Sequence, residues 1–161
     1  AEASTQVEFE AWLDRVSEAP DAPEIVTVAI GDLDRYYEPF RVVQGAEAWR
    51  NHGDWLRDHP GATGPAVAER FRTAASITSA EEASARAEVA RLRDDLRGHV
   101  QDAVLVLPTV PGPAPMRTRG GEYIDAVRAA TLRMTTPAAI GRLRLVGCRR
   151  SSSMSPTSLR K

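Results

Sequence analysis

The sequence predicts an α/β fold, with helices packed on a partial sheet. Two continuous apolar runs, at 25–30 and 103–107, are rich in β-branched residues and have the pattern of strands buried on both faces. Around and between them, apolar residues recur at helical spacing. The helical stretch between the runs is long enough to serve as the crossover that parallel strands require. Two strands do not make a stable sheet, so further neighbours are expected from another segment or chain.

The elements follow in order. Residues 5–18 read as an amphipathic helix, with Phe9, Leu13 and Val16 at i, i+4, i+7, stopped by Pro20 and Pro23. The first apolar run, Ile25 to Ile30, ends at Gly31, and Asp32 is placed to cap a second helix over about 33–57. That helix carries Tyr36, Tyr37, Phe40, Trp49 and Trp55. Pro39 is expected to kink or restart it, Gly45 to weaken it, and His59-Pro60-Gly61 to end it. A short helix at 65–75 pairs Val67 with Phe71. Thr78 and Ser79, each followed three residues later by Glu81 or Glu82, offer capping boxes for a long helix with Val89, Leu92, Leu96 and Val100 on one face. Glu82 and Arg86 add a favourable i,i+4 pair. The second apolar run then enters a proline-rich loop at 108–115, and Gly120-Gly121 turns the chain into a last helix at about 122–135.

Composition excludes several classes. The chain has 161 residues with 42% hydrophobic and 27% charged content, ordinary for one globular domain and unlike a wholly disordered chain. A formal net charge of −1 argues against a general nucleic-acid or membrane-surface binder. No run reaches the roughly 18 apolar residues of a membrane helix, and the first residues carry no signal-peptide pattern. The single cysteine, Cys148, rules out an internal disulfide framework, so a cytoplasmic setting is expected. The absence of an initial Met suggests a chain that begins within a longer protein. Charge is uneven: residues 1–140 hold 15 basic and 22 acidic residues, whereas 141–161 hold six basic and no acidic ones.

Residues able to carry chemistry are scattered. His52, His59 and His99 lack a metal-ligand spacing, so no metal or cofactor is expected. Asp54 and Asp58 share a helix face near Arg50 and Arg57, which reads most simply as a solvated surface, and the adjacent Asp94 and Asp95 diverge. The aromatics at 36–55 could stack bases, but without a basic groove core packing is the simpler reading. Gly120-Gly121 lacks the neighbours of a phosphate loop. Ser151, Ser152 and Ser153 lack the flanking glycines of a nucleophile loop, and Cys148 lacks a placed histidine. The feature above this level is the apolar run that delivers its C-terminal end into a rigid Pro/Thr/Gly loop, a common way to position residues at a ligand crevice.

Taken in order, FRVVQGAEAWRNHG, ERFRTAASITSAEEASARAEVARLRDDLR, DAVLVLPTVPGPAP and AATLRMTTPAAIG resemble the C-terminal part of an amidase signature family enzyme. The likeness spans about residues 7–140, and the LVLPTVPGPAP loop is its most specific piece. The family hydrolyses or transfers linear amide C–N bonds through a Ser–Ser–Lys triad held in a Gly/Ser-rich N-terminal and central region. Nothing here matches that region, and the sole lysine is Lys161. The resemblance therefore implies no catalytic residue in this chain. It does place Pro108, Thr109 and Pro111 on the family's P-T-x-P loop near the substrate entrance, as candidate substrate-binding residues for a small-molecule amide.

Residues 1–140 thus read as an amidase-like C-terminal segment and 141–161 as an irregular Arg/Ser-rich tail. The family pattern after A-x-x-G is G-x-P-A-x-x-x-P and a further strand, from which the tail departs. Its loss of periodicity and of acids points to an out-of-frame reading, which the other two frames of the gene would test. The expected function is a fragment of an amidase, inactive alone. The alternative is a non-catalytic accessory module that pairs with a partner chain through strand edges at 25–30 and 104–107.

Overall fold

The computed structural model describes residues 2–100, 103–116 and 118–141. Among them the chain forms five helices: α1 (Ala3–Ser17), α2 (Asp34–Asp58), α3 (Pro65–Ala75), α4 (Ser79–Val100) and α5 (Gly121–Gly141). α2, α4 and α5 pack on one another, and α3 packs on α2. α1 packs on none of the other four.

The predicted α/β architecture is not what forms. The helices sit where the periodicity puts them, but neither apolar run joins a sheet, and no strand is present among the described residues. Residues 22–32 and 104–107 form no regular secondary structure and pair with no strand. A doubly buried strand needs a backbone partner on each side and cover on each face. Here the helices cover one another instead, and only parts of the two runs are sheltered. Ile30 and Leu105 pack against the core, while Val26 is 70% and Val104 69% exposed.

The core is small. Tyr36, Leu92, Leu96 and Ile140 form its centre, with Phe40 and Val89 packed around them. Leu92 and Leu96 stand one turn apart on α4, on the face whose spacing the sequence displays. The Tyr36 hydroxyl donates to the Ile30 carbonyl at 2.7 Å, which satisfies the one polar atom this side chain brings into the core and holds the end of the apolar run against α2.

Helix ends show local chemistry at work. The Thr78 capping box forms reciprocally: the Glu81 carboxylate accepts from the Thr78 N–H and hydroxyl, both at 2.8 Å, and the Thr78 hydroxyl accepts from the Glu81 N–H at 3.2 Å. The Ser79 box does not form, because Glu82 is drawn to arginines instead. Asp32 accepts from the Asp34 N–H at 3.0 Å, one residue ahead of the Leu33 cap position. Gly31, at φ +80°, makes the left-handed turn from the apolar run into this helix start.

Two prolines and one glycine are accommodated within the helices. α2 runs through Pro39 without restarting. α5 runs six residues past its expected end and through Pro137. The Thr135 and Thr136 hydroxyls donate back to carbonyls of the preceding turn, including Thr136 to Leu132 at 2.6 Å, and burial of Met134, Pro137, Ala138 and Ile140 offsets the bond that proline forfeits. The end of α5 is closed by Arg93, whose Nε donates to the Ile140 carbonyl at 2.9 Å. Gly45 serves as a close-approach point: a Cβ there would lie 2.9 Å from Ile77 Cδ1, so its absence lets the end of α3 settle on α2.

Arginines tie the helices together. Arg50 of α2 reaches both carboxylate oxygens of Glu82 at 2.7 Å, and Arg86 of α4 bridges Glu82 and Glu47. Arg35 meets Asp95 at 3.2 Å, and Arg70 meets Asp125 at 3.2 Å. Arg133 of α5 bonds Asp34 and lies 4.8 Å over the Tyr37 ring. The guanidinium fork suits such branched pairing better than a lysine would.

Candidate functional site

The loop singled out by sequence begins at the end of the second apolar run. Pro108, Thr109 and Pro111 are half-buried there. The Pro111 carbonyl accepts from the Glu2 N–H at 2.5 Å, and a Cβ on Gly112 would collide with the Glu2 carboxylate. The loop is therefore seated on the start of α1, and a side chain at Gly112 would displace the Glu2 carboxylate. Proline ring rigidity and this seating fix its path.

Residues 108–115 of the loop hold no acid, base or thiol. Its one side-chain hydroxyl, on Thr109, has no acid, base or histidine joined to it by any hydrogen bond among the described residues. A surface cleft between α2 and α3 and another between α2 and α4 contain none of Pro108, Thr109 and Pro111. The larger, about 310 Å³, lies between α2 and α4 at the end of α5, over Phe40, Val43, Val89 and Ile140, with Glu47, Arg86 and Arg93 at its edge. Those three charges already serve the helix contacts described above.

The remaining sequence candidates are kept apart. His52 meets the Phe71 ring edge-on at 6.3 Å, His59 stacks on Trp55 at 4.6 Å, and His99 bonds the Asp95 carbonyl at 2.8 Å. Among the described residues, no group of three or more His, Cys, Asp or Glu is placed to hold a metal ion. Asp54 bonds Arg57 on its own helix, as expected of a solvated face. The aromatic set divides: Tyr36 and Tyr37 are buried, whereas Trp55 is exposed. Gly121 simply opens α5. Cys148, Ser151, Ser152 and Ser153 lie outside the described residues, as does nearly all of the tail at 141–161.

Shifted ionisations trace structural pairs. The Thr78 N–H and hydroxyl hold Glu81 below the ordinary carboxylate range, Arg50 and then Arg86 do so for Glu82, and Arg91 does so for Glu88. Burial, aided by Asp95 and opposed by Arg35 and Arg91, raises the Tyr36 phenol. None of these groups belongs to the loop at 108–111. They are the hydrogen bonds of a cap, two ion-pair clusters and a core tyrosine.

Two features had no clear sequence signal. One is the freedom of the apolar runs: among the described residues no backbone hydrogen bond is made by residues 23–29 or 104–110. The other is the face of α1 carrying Phe9, Trp12, Leu13 and Val16, which is half-buried but meets no other helix. The periodicity of α1 revealed the face without revealing that it lacks a helical partner. No described helix is long and apolar enough to cross a membrane. Comparison with known proteins finds no matching family model, no matching curated protein and no matching solved structure.

Proposed function

We propose that this chain is a non-catalytic portion of an amide-hydrolysing enzyme of the amidase signature type. In this reading the runs at 25–30 and 103–107 meet protein outside the described residues, and Pro108, Thr109 and Pro111 border the entrance for a small amide. The observation that carries it is the state of those runs. They have strand composition but join no sheet, with Ile25, Val26, Val28 and Val104 exposed and no backbone hydrogen bond made by residues 25–29 or 104–107 among the described residues. A backbone edge of this kind invites pairing and is costly to leave open. The ordered likeness from FRVVQGAEAWRNHG to AATLRMTTPAAIG supplies the reaction class.

Sequencing the gene upstream of the Ala1 codon tests this reading. A continuous frame encoding a Gly/Ser-rich loop and a lysine is expected. A start codon and ribosome-binding site immediately before Ala1 would overturn it. The purified chain should release no ammonia from simple amides.

A second reading, an accessory module that adds to a partner's sheet, draws on the same free edges. Light scattering after size exclusion separates the two. A module gives a defined species with little hydrophobic-dye binding, whereas an enzyme portion gives dye-binding aggregates.

A further inference from the structure

We propose that the cleft between the C-terminal half of α2 and α3 binds a small aromatic carboxylate. The cleft measures about 220 Å³ and shares no residue with the loop at 108–111. Its volume lies below the roughly 300–1,000 Å³ of sites for drug-sized ligands, so it fits one ring with a short polar substituent. Trp49 and Phe71 line it with aromatic surface, and Leu56 adds aliphatic surface. The ring of a ligand would lie against the Phe71 and Leu56 surfaces, beside Trp49.

The lining is held in place before any ligand arrives. His52 contacts the edge of the Phe71 ring, and the Arg57 guanidinium lies 5.4 Å over the Trp49 ring. The connecting turn that forms one wall is fixed by Pro60, by Gly61 at φ +84° and by the Ala62 N–H donating to the His59 carbonyl at 3.2 Å. The His59 ring is itself held by stacking on Trp55.

The charge at the cleft selects an anion. Arg57 from α2 and Arg72 from α3 both line it, which brings two guanidinium forks from different helices to one small opening. Each is bonded to a carboxylate one turn away on its own helix, Asp54 and Glu69 respectively. Asp54 is 90% exposed and Glu69 60%, and such exposed pairs are weak and easily exchanged. A ligand carboxylate at the opening could replace Asp54 and Glu69 as acceptor for the two arginines while its ring rests on the apolar lining. The planar fork matches carboxylate geometry.

The test is a two-dimensional amide NMR titration of the whole chain with benzoate and, separately, with benzamide. Benzoate should shift the Trp49 indole and the Phe71 and Ala75 amide signals saturably, with benzamide at least about fivefold weaker. The paired substitution Arg57→Gln and Arg72→Gln should weaken benzoate by a similar factor with an unchanged helical circular dichroism spectrum. Phe71→Ala should weaken both ligands. Equal binding of benzoate and benzamide would overturn the carboxylate assignment, and no saturable shift at these signals would overturn the site. Either outcome leaves the amidase reading untouched, since that reading is tested on the gene.

Discussion

Leu92 is fully buried at the centre of the helical core, between α2 and α5, with Leu96 one turn along. Truncation there removes packing against both neighbouring helices, so Leu92→Ala should cost about 2–5 kcal/mol by urea denaturation, a large share of a small domain's stability. Thr78→Ala removes the hydroxyl half of the capping box, leaving only the Thr78 N–H bond to Glu81, and should cost about 1 kcal/mol in the same experiment. Ionisation gives a further expectation at this scale. Glu81, Glu82 and Glu88 are held below the ordinary carboxylate range only in the folded chain. Their contribution is present above the unfolded carboxylate pKa and is lost as pH falls through the folded one. The melting temperature should therefore drop progressively below about pH 5, and Glu82→Gln should flatten that drop. Tyr36 works in the opposite sense: its raised phenol pKa means stability is lost as pH climbs above the usual tyrosine value near 10. A melting temperature unchanged between pH 7 and 3 would contradict the acid-side expectation.

Elements succeed or fail here according to whether their partners lie within the chain. α4 needs only its own cap, its leucine face and the neighbouring α2 and α5, and its start and face were readable from sequence. α5 was read as ending near 135; tertiary burial and the threonine back-bonds carry it through Pro137 to Gly141. The runs at 25–30 and 103–107 were read as strands from composition. Composition registers a preference for a pleated, buried setting, but the hydrogen-bonding neighbour is non-local and no residue in the run encodes it. Substitution distinguishes the two states. Val26→Lys should change stability by no more than about 0.5 kcal/mol, because the side chain is solvent-exposed. Ile30→Ala should cost measurably more, because Ile30 packs on the core. Equal, large losses at both positions in urea denaturation would show that the run is paired within the chain after all.

At the scale of the molecule, the division is between a four-helix assembly and what hangs from it. α2 to α5 share one set of contacts, whereas α1 rests on the proline-rich loop through Glu2. Deleting residues 1–18 should keep the circular dichroism minima of the remaining helices and move the melting temperature by no more than about 2 °C. A collapse of the helical signal would mean that α1 is integral to the core. The loop carrying Pro108, Thr109 and Pro111 was legible as a rigid connection, and its seating on α1 accords with that. Its relation to a substrate was legible only through resemblance, because proline and threonine carry no acid, base or nucleophile of their own.

What the sequence determined by itself is local: the positions of the helices, the Thr78 cap, the amphipathic faces and the lack of a membrane-spanning helix among the described residues. These follow from spacing and from side chains that bond within a turn or two of themselves. The tertiary structure alone decided that the helices pack on one another instead of on a sheet. It also decided that Pro137 lies inside a helix, that Arg50, Arg86, Arg93 and Arg133 join elements far apart in the chain, and that Arg57 and Arg72 meet at one aromatic-lined cleft. Each of these depends on which surfaces are brought together, and pairing between distant segments leaves no periodicity in either one.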